Sequence, residues 1–497
     1  MEEKKENRTM YFNSYVFVLA FLPITVLGYY LINKTKKYQL GHMWLLGASL
    51  IFAGYLNVYY VVITTVSVLI GYLFIVLVTR QSLTHGIRKI CLTTGIVVHV
   101  GMLLYFKYSN FFIENINEIF DKEIPFLELL LPLGISFYTF QQIAYLVDCY
   151  RDNSIKCGLG EYFLYIMYFP KFLQGPILLH EDILPALHED ENKKFSWEHF
   201  SKGLYAFALG LGKKVLLADN IALIVDAGYN NIAELNAPSA LLVIIGYSLQ
   251  LYFDFSGYCD MAMGVGEMLQ IPVPVNFDSP YKATKVTDIW ARWHMTLTRF
   301  FTRYIYIPLG GNRKGNLRMY ANTFIVFLVS GFWHGAAWTF VVWGIMHGIA
   351  MVISKLLKRY RVVLPKVVGW LLTFSFWIMS FAIFRAPTLA TAKELFSRLW
   401  EGGYGRIYYG FYEQIEKHIE VTMLHRLDFL NVLEGCSEIL VAALIGISLF
   451  ACLIMKNTQE KLKEFRFTYS KLLVTVILLF YSILSLESVT VFLYANF

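Results

Sequence analysis

The chain has 497 residues, of which 57% are hydrophobic, 17% aromatic and only 16% charged, and its formal net charge is +7. Soluble domains contain about 25% charged residues, so this composition excludes an ordinary soluble enzyme. Length alone would suggest several domains, but apolar stretches recur from Phe12 onward and predict one polytopic membrane unit. The positive charge lies in short loops, which favours contact with anionic lipid headgroups and a lipid bilayer over nucleic-acid binding.

The apolar stretches predict an all-α protein with roughly eleven to thirteen transmembrane or re-entrant helices. The first stretch follows a charged N-terminus and lacks a small-residue cleavage site, so we expect a retained helix and not a signal peptide. Clear spans are predicted at residues 12–32, 58–78, 90–106, 367–384, 438–455 and 472–493. Shorter or interrupted spans are predicted at residues 43–56, 127–147, 162–179, 203–218, 240–255, 319–332 and 337–353. Interrupted segments at membrane depth must be buried in protein or line a cavity.

Lysine and arginine in short loops predict the orientation, because such loops face the cytoplasm. Basic residues cluster at positions 34–37, 80–89, 355–366 and 456–466, which we place in the cytoplasm. The N-terminus and the segment 385–436 then lie outside. The basic residues Lys4, Lys5 and Arg8 argue against this orientation.

Several common kinds of site have no sequence signal here. The six cysteines form no C-x-x-C pair, so core thiols are favoured over disulfides or zinc, and we expect no metal. The sequence contains no G-x-S-x-G elbow, no H-E-x-x-H motif and no Walker loop, so an ATP-driven role has no support.

Three polar segments interrupt the apolar sequence, and the first lies at the end of an apolar span. It contains Asp254, Ser256, Gly257 and Asp260, which are too many polar groups for a helix that faces lipid. Two interpretations stay open. The segment is either a polar seam between helices or the wall of a water-filled cavity, and Gly257 indicates close packing or a break in the helix.

The second segment alternates aromatic and basic residues around Arg292, Trp293 and His294. Its amphipathic character predicts a helix that lies near the membrane surface or re-enters the membrane. Alternatively, Arg292 and Arg299 contact headgroups and His294 is a hydrogen-bonded structural residue.

The third segment is Gly331-Phe-Trp-His334-Gly335, a histidine in an almost wholly apolar run. An ionisable side chain inside a membrane is costly and usually functional. We therefore interpret His334 as a candidate catalytic base, flanked by glycines that let a substrate approach the backbone. His347 follows thirteen residues later, about 220° around one continuous helix, so the two histidines should not share a face. Structural packing is the alternative for either.

With these segments the chain resembles the membrane-bound O-acyltransferase family, in particular the branch that contains the integral membrane component of alginate O-acetylation. The resemblance rests on residues 131–151, 169–176 and 213–220, the Asp254 segment, residues 276–281, the His294 segment, residues 306–313 and the His334 segment. It implies a ring of helices around a central funnel or tunnel. We expect N-terminal transmembrane helices at residues 1–125, a catalytic core at 126–385, and an extracytoplasmic loop with C-terminal helices at 386–497.

The resemblance also implies site residues and a reaction. His334 and His294 are the expected catalytic residues, and the expected substrate-binding or tunnel-lining residues are Arg292, Trp293, Trp333, Asp254, Ser256 and Asn276. The expected reaction moves an acyl group, acetyl in the first instance, from a cytoplasmic thioester such as acetyl-CoA to an extracellular polysaccharide, with no bound cofactor. His334 would act as base or nucleophile, and Arg292 or backbone amides would stabilise the oxyanion. The expected partners are an extracytoplasmic SGNH-type acetyltransferase and a polysaccharide biosynthesis complex at the bacterial cytoplasmic membrane.

Three other functions are weighed against this one. D-alanyl transfer to teichoic acid uses similar motifs, but residues 306–313 resemble the alginate-type branch. A transporter or flippase would use Asp254, Asp260 and the histidines as an ion relay, yet the sequence shows no related halves. A scaffold that recruits the true enzyme would not require His334.

Overall fold

A computed structural model describes residues 10–155, 157–416, 437–486 and 491–493. These residues form helices and loops, and the isolated bridge between Phe277 and Trp293 is the only β-type pairing found among them. The basic residues near the N-terminus, Cys436 and most of the loop expected at 386–436 beyond residue 416 lie outside the described residues.

The helices follow one another closely along the chain. The first half contains α1 (Leu22–Asn33), α2 (Tyr38–Leu56), α3 (Val58–Thr79), α4 (His85–Phe120), α5 (Ile135–Arg151), α6 (Leu159–Met167), α7 (His180–His188), α8 (Trp197–Gly212), α9 (Asp219–Asn230) and α10 (Ala237–Leu269). The second half contains α11 (Val286–Arg292), α12 (Met295–Phe301), α13 (Asn316–His334), α14 (Trp338–Arg359), α15 (Lys366–Arg385), α16 (Leu389–Glu401), α17 (Gly410–Glu416), α18 (Ser437–Leu453), α19 (Thr458–Lys463) and α20 (Tyr469–Leu484).

Six helical segments of the described chain are long and apolar enough to cross a membrane. They are Val16–Asn33, Val58–Thr79, His85–Phe120, Ala237–Leu269, Trp338–Arg359 and Lys366–Arg385. The prediction of an all-α polytopic membrane protein is therefore confirmed. The spans predicted at 438–455 and 472–493 correspond to shorter apolar helices, and the second ends at Leu484.

Helix α10 is the central helix of the fold. Of its most apolar 18-residue window, 83% is buried, against 17% for α4, so α10 is surrounded by protein while α4 faces lipid. A Cβ atom on Gly264 would lie 2.6 Å from the Gly203 carbonyl oxygen, and one on Gly257 would lie 2.8 Å from that of Gly210. Small residues at these positions let α8 and α10 pack backbone against backbone. Gly257 thus serves close packing, and the helix continues through it.

The spans predicted at residues 127–147 and 162–179 are wrong in extent. Residues 122–134 are not helical, and α5 begins only at Ile135, after Pro132 and the left-handed Gly134. In the span predicted at 162–179, α6 ends at Met167. Residues 168–179 continue without a regular α-helix, because Pro170, Gly175 and Pro176 interrupt the backbone. Every residue from 168 to 179 is buried, as irregular backbone at membrane depth requires.

Candidate active site

His334 is the last residue of α13 and is 3% exposed. Its ring lies 4.9 Å from that of Trp333, 5.1 Å from that of Trp343 and 5.3 Å from that of Phe384, measured between centroids. The helix ends here because Gly335 is extended, and a Cβ atom on Gly335 would lie only 2.0 Å from the Phe340 ring. The glycine after His334 is therefore required by close packing at the helix end.

The end of α13 is held by two side chains from α4. Lys107 Nζ donates hydrogen bonds to the carbonyl oxygens of Trp333 at 2.8 Å and His334 at 3.0 Å, and the Tyr108 hydroxyl donates to that of Phe332. The last carbonyls of a helix lack partners within the helix, and a cation is favourable there. Sequence reasoning missed Lys107, because the span predicted at 90–106 ended just before it. A Lys-Tyr pair inside a long apolar helix was the available signal.

His294 lies in a short hydrogen-bonded turn with Asn276. The backbone N–H of Thr296 donates to Asn276 Oδ1 at 3.1 Å, which fixes the amide so that its oxygen faces His294 Nδ1 at 3.2 Å. Nδ1 must then carry the proton, and Nε2 is the acceptor nitrogen of the ring. His294 is completely buried, and its backbone is left-handed, with φ of 46°. The turn thus selects one tautomer of His294.

The two histidine motifs meet at Trp333. The Trp333 ring centroid lies 6.4 Å from that of His294 and 4.9 Å from that of His334. Phe137 of α5 contacts both Trp333, at 5.5 Å, and His294, at 6.5 Å. The structure therefore brings together His294, Asn276, Trp333 and His334 of the predicted site.

The expected separation of His334 and His347 is wrong, because it assumed one continuous helix. The chain breaks between α13 and α14, and both rings contact Trp343, at 5.1 Å and 4.5 Å. His347 Nδ1 accepts from the Trp290 indole at 3.3 Å, and His347 Nε2 faces Ser380 Oγ at 3.1 Å. Both ring nitrogens of His347 are thus engaged in packing contacts between helices.

The acidic residues of the first polar segment are paired with lysines. Asp254 lies 2.8 Å from Lys214 and accepts from the backbone N–H of Leu493 at 3.1 Å. Asp260 lies 2.5 Å from Lys213. These pairs fix α10 to the π-helical turn Lys213–Ala218 and to residues 491–493, which favours the polar-seam interpretation. The nearby Ser256 hydroxyl is buried and has no hydrogen-bond partner within the described ranges.

Arg292 and Trp293 point to other neighbours. Arg292 Nε lies 2.9 Å from Asp288 Oδ1, and its Nη1 donates to the Asp278 carbonyl oxygen at 3.2 Å. The Arg292 side chain is 34% exposed, unlike the buried histidines. Trp293 packs against Trp377 and Phe381, with centroids 5.2 Å from each. The contacts of these two residues therefore lie outside the group around Trp333, and their roles stay predictions.

A cavity of about 190 Å³ lies between α12 and α13. Its walls include Thr298, one turn beyond His294, and Ser330, one turn before His334, and Lys355 of α14 lies at its edge. The remaining walls are mostly apolar. The cavity therefore approaches both histidine motifs from the end of α14 that is predicted to be cytoplasmic.

No group of three or more His, Cys, Asp or Glu side chains that could hold a metal ion occurs in the part of the chain that the structure describes.

Known proteins resemble this chain over most of its length. The family model of the membrane-bound O-acyltransferases matches residues 150–390, which include both histidine motifs. A peptidoglycan O-acetyltransferase of Helicobacter pylori is 39% identical over 414 residues, which cover 77% of this chain and 78% of that protein. A "probable alginate O-acetylase" of Pseudomonas putida is 34% identical over 79% of this chain and 81% of its own length. A teichoic acid D-alanyltransferase of Bacillus subtilis is 28% identical over 60% of this chain and 85% of its own. On this similarity, and on a helical fold that joins the two histidine motifs, the chain belongs to the membrane-bound O-acyltransferase family and is an O-acyltransferase.

Proposed function

We propose that the protein transfers an acetyl group from a thioester on the cytoplasmic side toward an extracytoplasmic glycan, and that His334 is its catalytic base. The relatives named for O-acetylation of peptidoglycan and alginate support acetyl as the acyl group and a bacterial cell-envelope polymer as the final acceptor. The observation that carries the site assignment is the meeting of His294, Trp333 and His334, one helical turn from Thr298 and Ser330 in the wall of the cavity between α12 and α13.

The cavity offers a route for the donor. Lys355 at its edge lies in a cluster of basic residues predicted to be cytoplasmic, and a cation there suits the phosphates of a soluble thioester such as acetyl-CoA. The apolar walls beyond Lys355 suit the uncharged arm that would carry the acetyl group toward Ser330 and His334. The acceptor would be the glycan itself or a hydroxyl on an extracytoplasmic acetyltransferase partner.

In the proposed step His334 removes the proton from the acceptor hydroxyl, and the hydroxyl oxygen attacks the thioester carbonyl carbon. The carbon–sulfur bond then breaks, and the leaving thiolate receives the proton from His334. A route through a transient acyl-imidazole on His334 uses the same residue as nucleophile. Either route produces a negative charge on the carbonyl oxygen, which needs a hydrogen-bond donor.

Trp333 is the donor that fits this place. Its indole Nε1–H is buried and has no acceptor within the described ranges, and the ring lies between the two histidines. Arg292, the donor expected from the sequence, already forms ion pairs with Asp288 and Asp278. We therefore assign stabilisation of the oxyanion to Trp333.

The test is incorporation of radiolabelled acetyl groups into extracellular polymer by cells that express full-length variants. His334→Ala should abolish incorporation at an unchanged amount of protein in the membrane. His199→Ala is the matched control, because the His199 side chain is 46% exposed and lies beside Glu267 on the surface. Incorporation that persists in His334→Ala would overturn the assignment and favour a scaffold or transporter.

A further inference from the structure

A second and larger cavity, of about 620 Å³, lies away from the two histidines. It is bounded by α8, by the π-helical turn Lys213–Ala218, by α10 and by the C-terminal helices α18, α19 and α20. We call it the Lys461 cavity, after the lysine of α19 that lines it. Its size falls within the range of ordinary ligand sites, about 300–1,000 Å³.

The residues that line the Lys461 cavity are of two kinds. The polar ones are Lys213, Lys456, Lys461, Ser279, Asn457 and Thr458. Lys213 and Thr458 both donate to Asp260, and Asn457 donates to Ser279, so these polar residues lie together and form what we call the cationic end. The other lining residues are mostly apolar, among them Leu209, Leu216, Val474, Ile477 and Leu478. A cavity that combines a cationic end with an apolar part is complementary to a molecule that carries an anionic head on a hydrocarbon chain.

The charges at the cationic end are only partly balanced by the protein. Lys213 lies 2.5 Å from Asp260, and Lys456 lies 2.6 Å from Glu464. The ion pairs found among the described residues do not include Lys461, which is half-buried. Burial lowers the pKa of Lys461 from its ordinary value, and the positive charge of Lys213 lowers it further, while Asp260 offsets part of this shift. An anion beside Lys461 would remove this penalty on the charged ammonium.

The position of Lys461 along the chain indicates which membrane leaflet the Lys461 cavity faces. Lys456, Lys461, Lys463 and Arg466 form one of the basic clusters predicted to face the cytoplasm. The cytoplasmic leaflet is the one that carries anionic lipids, and basic residues at its surface attract them. An acyl chain in the apolar part would contact both α8 and α20, which also pack directly on each other.

We propose that the Lys461 cavity binds an anionic phospholipid, with its phosphate beside Lys461 and one acyl chain between α8 and α20. The proposal does not depend on the acyl-transfer function proposed above, because the cavity lies apart from the histidine motifs.

The experiment is native mass spectrometry of the full-length protein in a neutral detergent, with phosphatidylglycerol or phosphatidylcholine added at matched concentrations. Phosphatidylglycerol should bind the unaltered protein more tightly than phosphatidylcholine does. Lys461→Gln should weaken phosphatidylglycerol binding about fivefold or more, the usual effect of one lysine at an anionic lipid surface. Lys461→Arg should retain the preference.

Lys463→Gln is the matched control, because this exposed lysine lies on the same short helix and does not line the cavity. It should bind phosphatidylglycerol as the unaltered protein does. Equal binding of the two lipids, or equal loss in Lys461→Gln and Lys463→Gln, would overturn the proposal. Displacement of the lipid by coenzyme A would also overturn it, since the site would then recognise a soluble phosphate.

Discussion

Lys107 and His334 are joined directly, although 227 residues separate them in the chain: Lys107 Nζ donates a hydrogen bond to the His334 carbonyl oxygen at 3.0 Å. Because the same ammonium also donates to the Trp333 carbonyl oxygen, it fixes the final turn of α13, on which both side chains are carried. Lys107 is thus a positioning residue for the candidate site, acting through the backbone.

Replacement of Lys107 by Met should lower kcat for acetyl transfer about tenfold or more, with little change in KM. The reason is that loss of a hydrogen bond to a charged group costs about 1.5–3 kcal/mol and releases the end of α13. The measurement is the initial rate of acetyl transfer per folded protein. Lys107→Arg should restore most of the rate, and Lys122→Met, on an exposed loop, should have no effect. An unchanged kcat in Lys107→Met would contradict the assignment.

Trp333→Phe removes the indole N–H and keeps an aromatic ring between the histidines. Loss of one oxyanion donor typically lowers kcat by about 10²–10³-fold, and we expect a decrease of about 10²-fold with KM nearly constant. Trp338→Phe is the control, because its Nε1 donates to Asn115 Oδ1 at 3.0 Å near the surface. If the Trp333→Phe variant kept the kcat of the unaltered protein, Trp333 would not be the donor that stabilises the oxyanion.

Asn276→Ala removes the acceptor that holds Nδ1–H of His294. The imidazole is then free to change tautomer and orientation. His294 is expected from the sequence to be catalytic, and displacement of a catalytic group by about 1 Å can cost about 10²-fold in rate. We therefore expect kcat to fall by about that factor. Asn231→Ala, which removes only a bond to the Ala227 carbonyl oxygen on α9, should not change the rate. Nitrogen NMR of labelled histidine would report the tautomer of His294. A mixture of both neutral tautomers in the unaltered protein would contradict the hydrogen bond from His294 Nδ1–H to Asn276.

Much of the candidate site was predictable from the sequence, because both histidine motifs stand out against apolar surroundings. His294, Asn276, Trp333 and His334 were named from the sequence, and the structure places them together. The role of Lys107 and the exact end of α13 at His334 were not predicted, although separate spans at 319–332 and 337–353 were expected. The first depends on a contact across 227 residues, and the second on the fit of Gly335 against the Phe340 ring. Neither cause is visible in local hydropathy.

The two interpretations of Asp254, a structural polar seam and a tunnel wall, predict different effects of the same substitution. If it belongs to a structural seam, Asp254→Asn should lower the free energy of unfolding by about 1–3 kcal/mol, because Lys214 loses one of its two carboxylate partners and keeps Asp219. The protein that stays folded should keep its rate of acetyl transfer. Asp226→Asn is the control, because the Asp226 side chain is 54% exposed in its pair with Arg385. Lost activity at unchanged stability would instead favour a tunnel wall.

The hydrogen bond from the Leu493 backbone N–H to Asp254 also joins two parts of the chain that are synthesised more than two hundred residues apart. Among the described residues, Lys214 lies 2.8 Å from one oxygen of this buried carboxylate, and Leu493 donates to the other. A chain that stops before residue 491 would lack the second donor. We therefore expect such a truncation to destabilise the centre of the protein and not merely its edge.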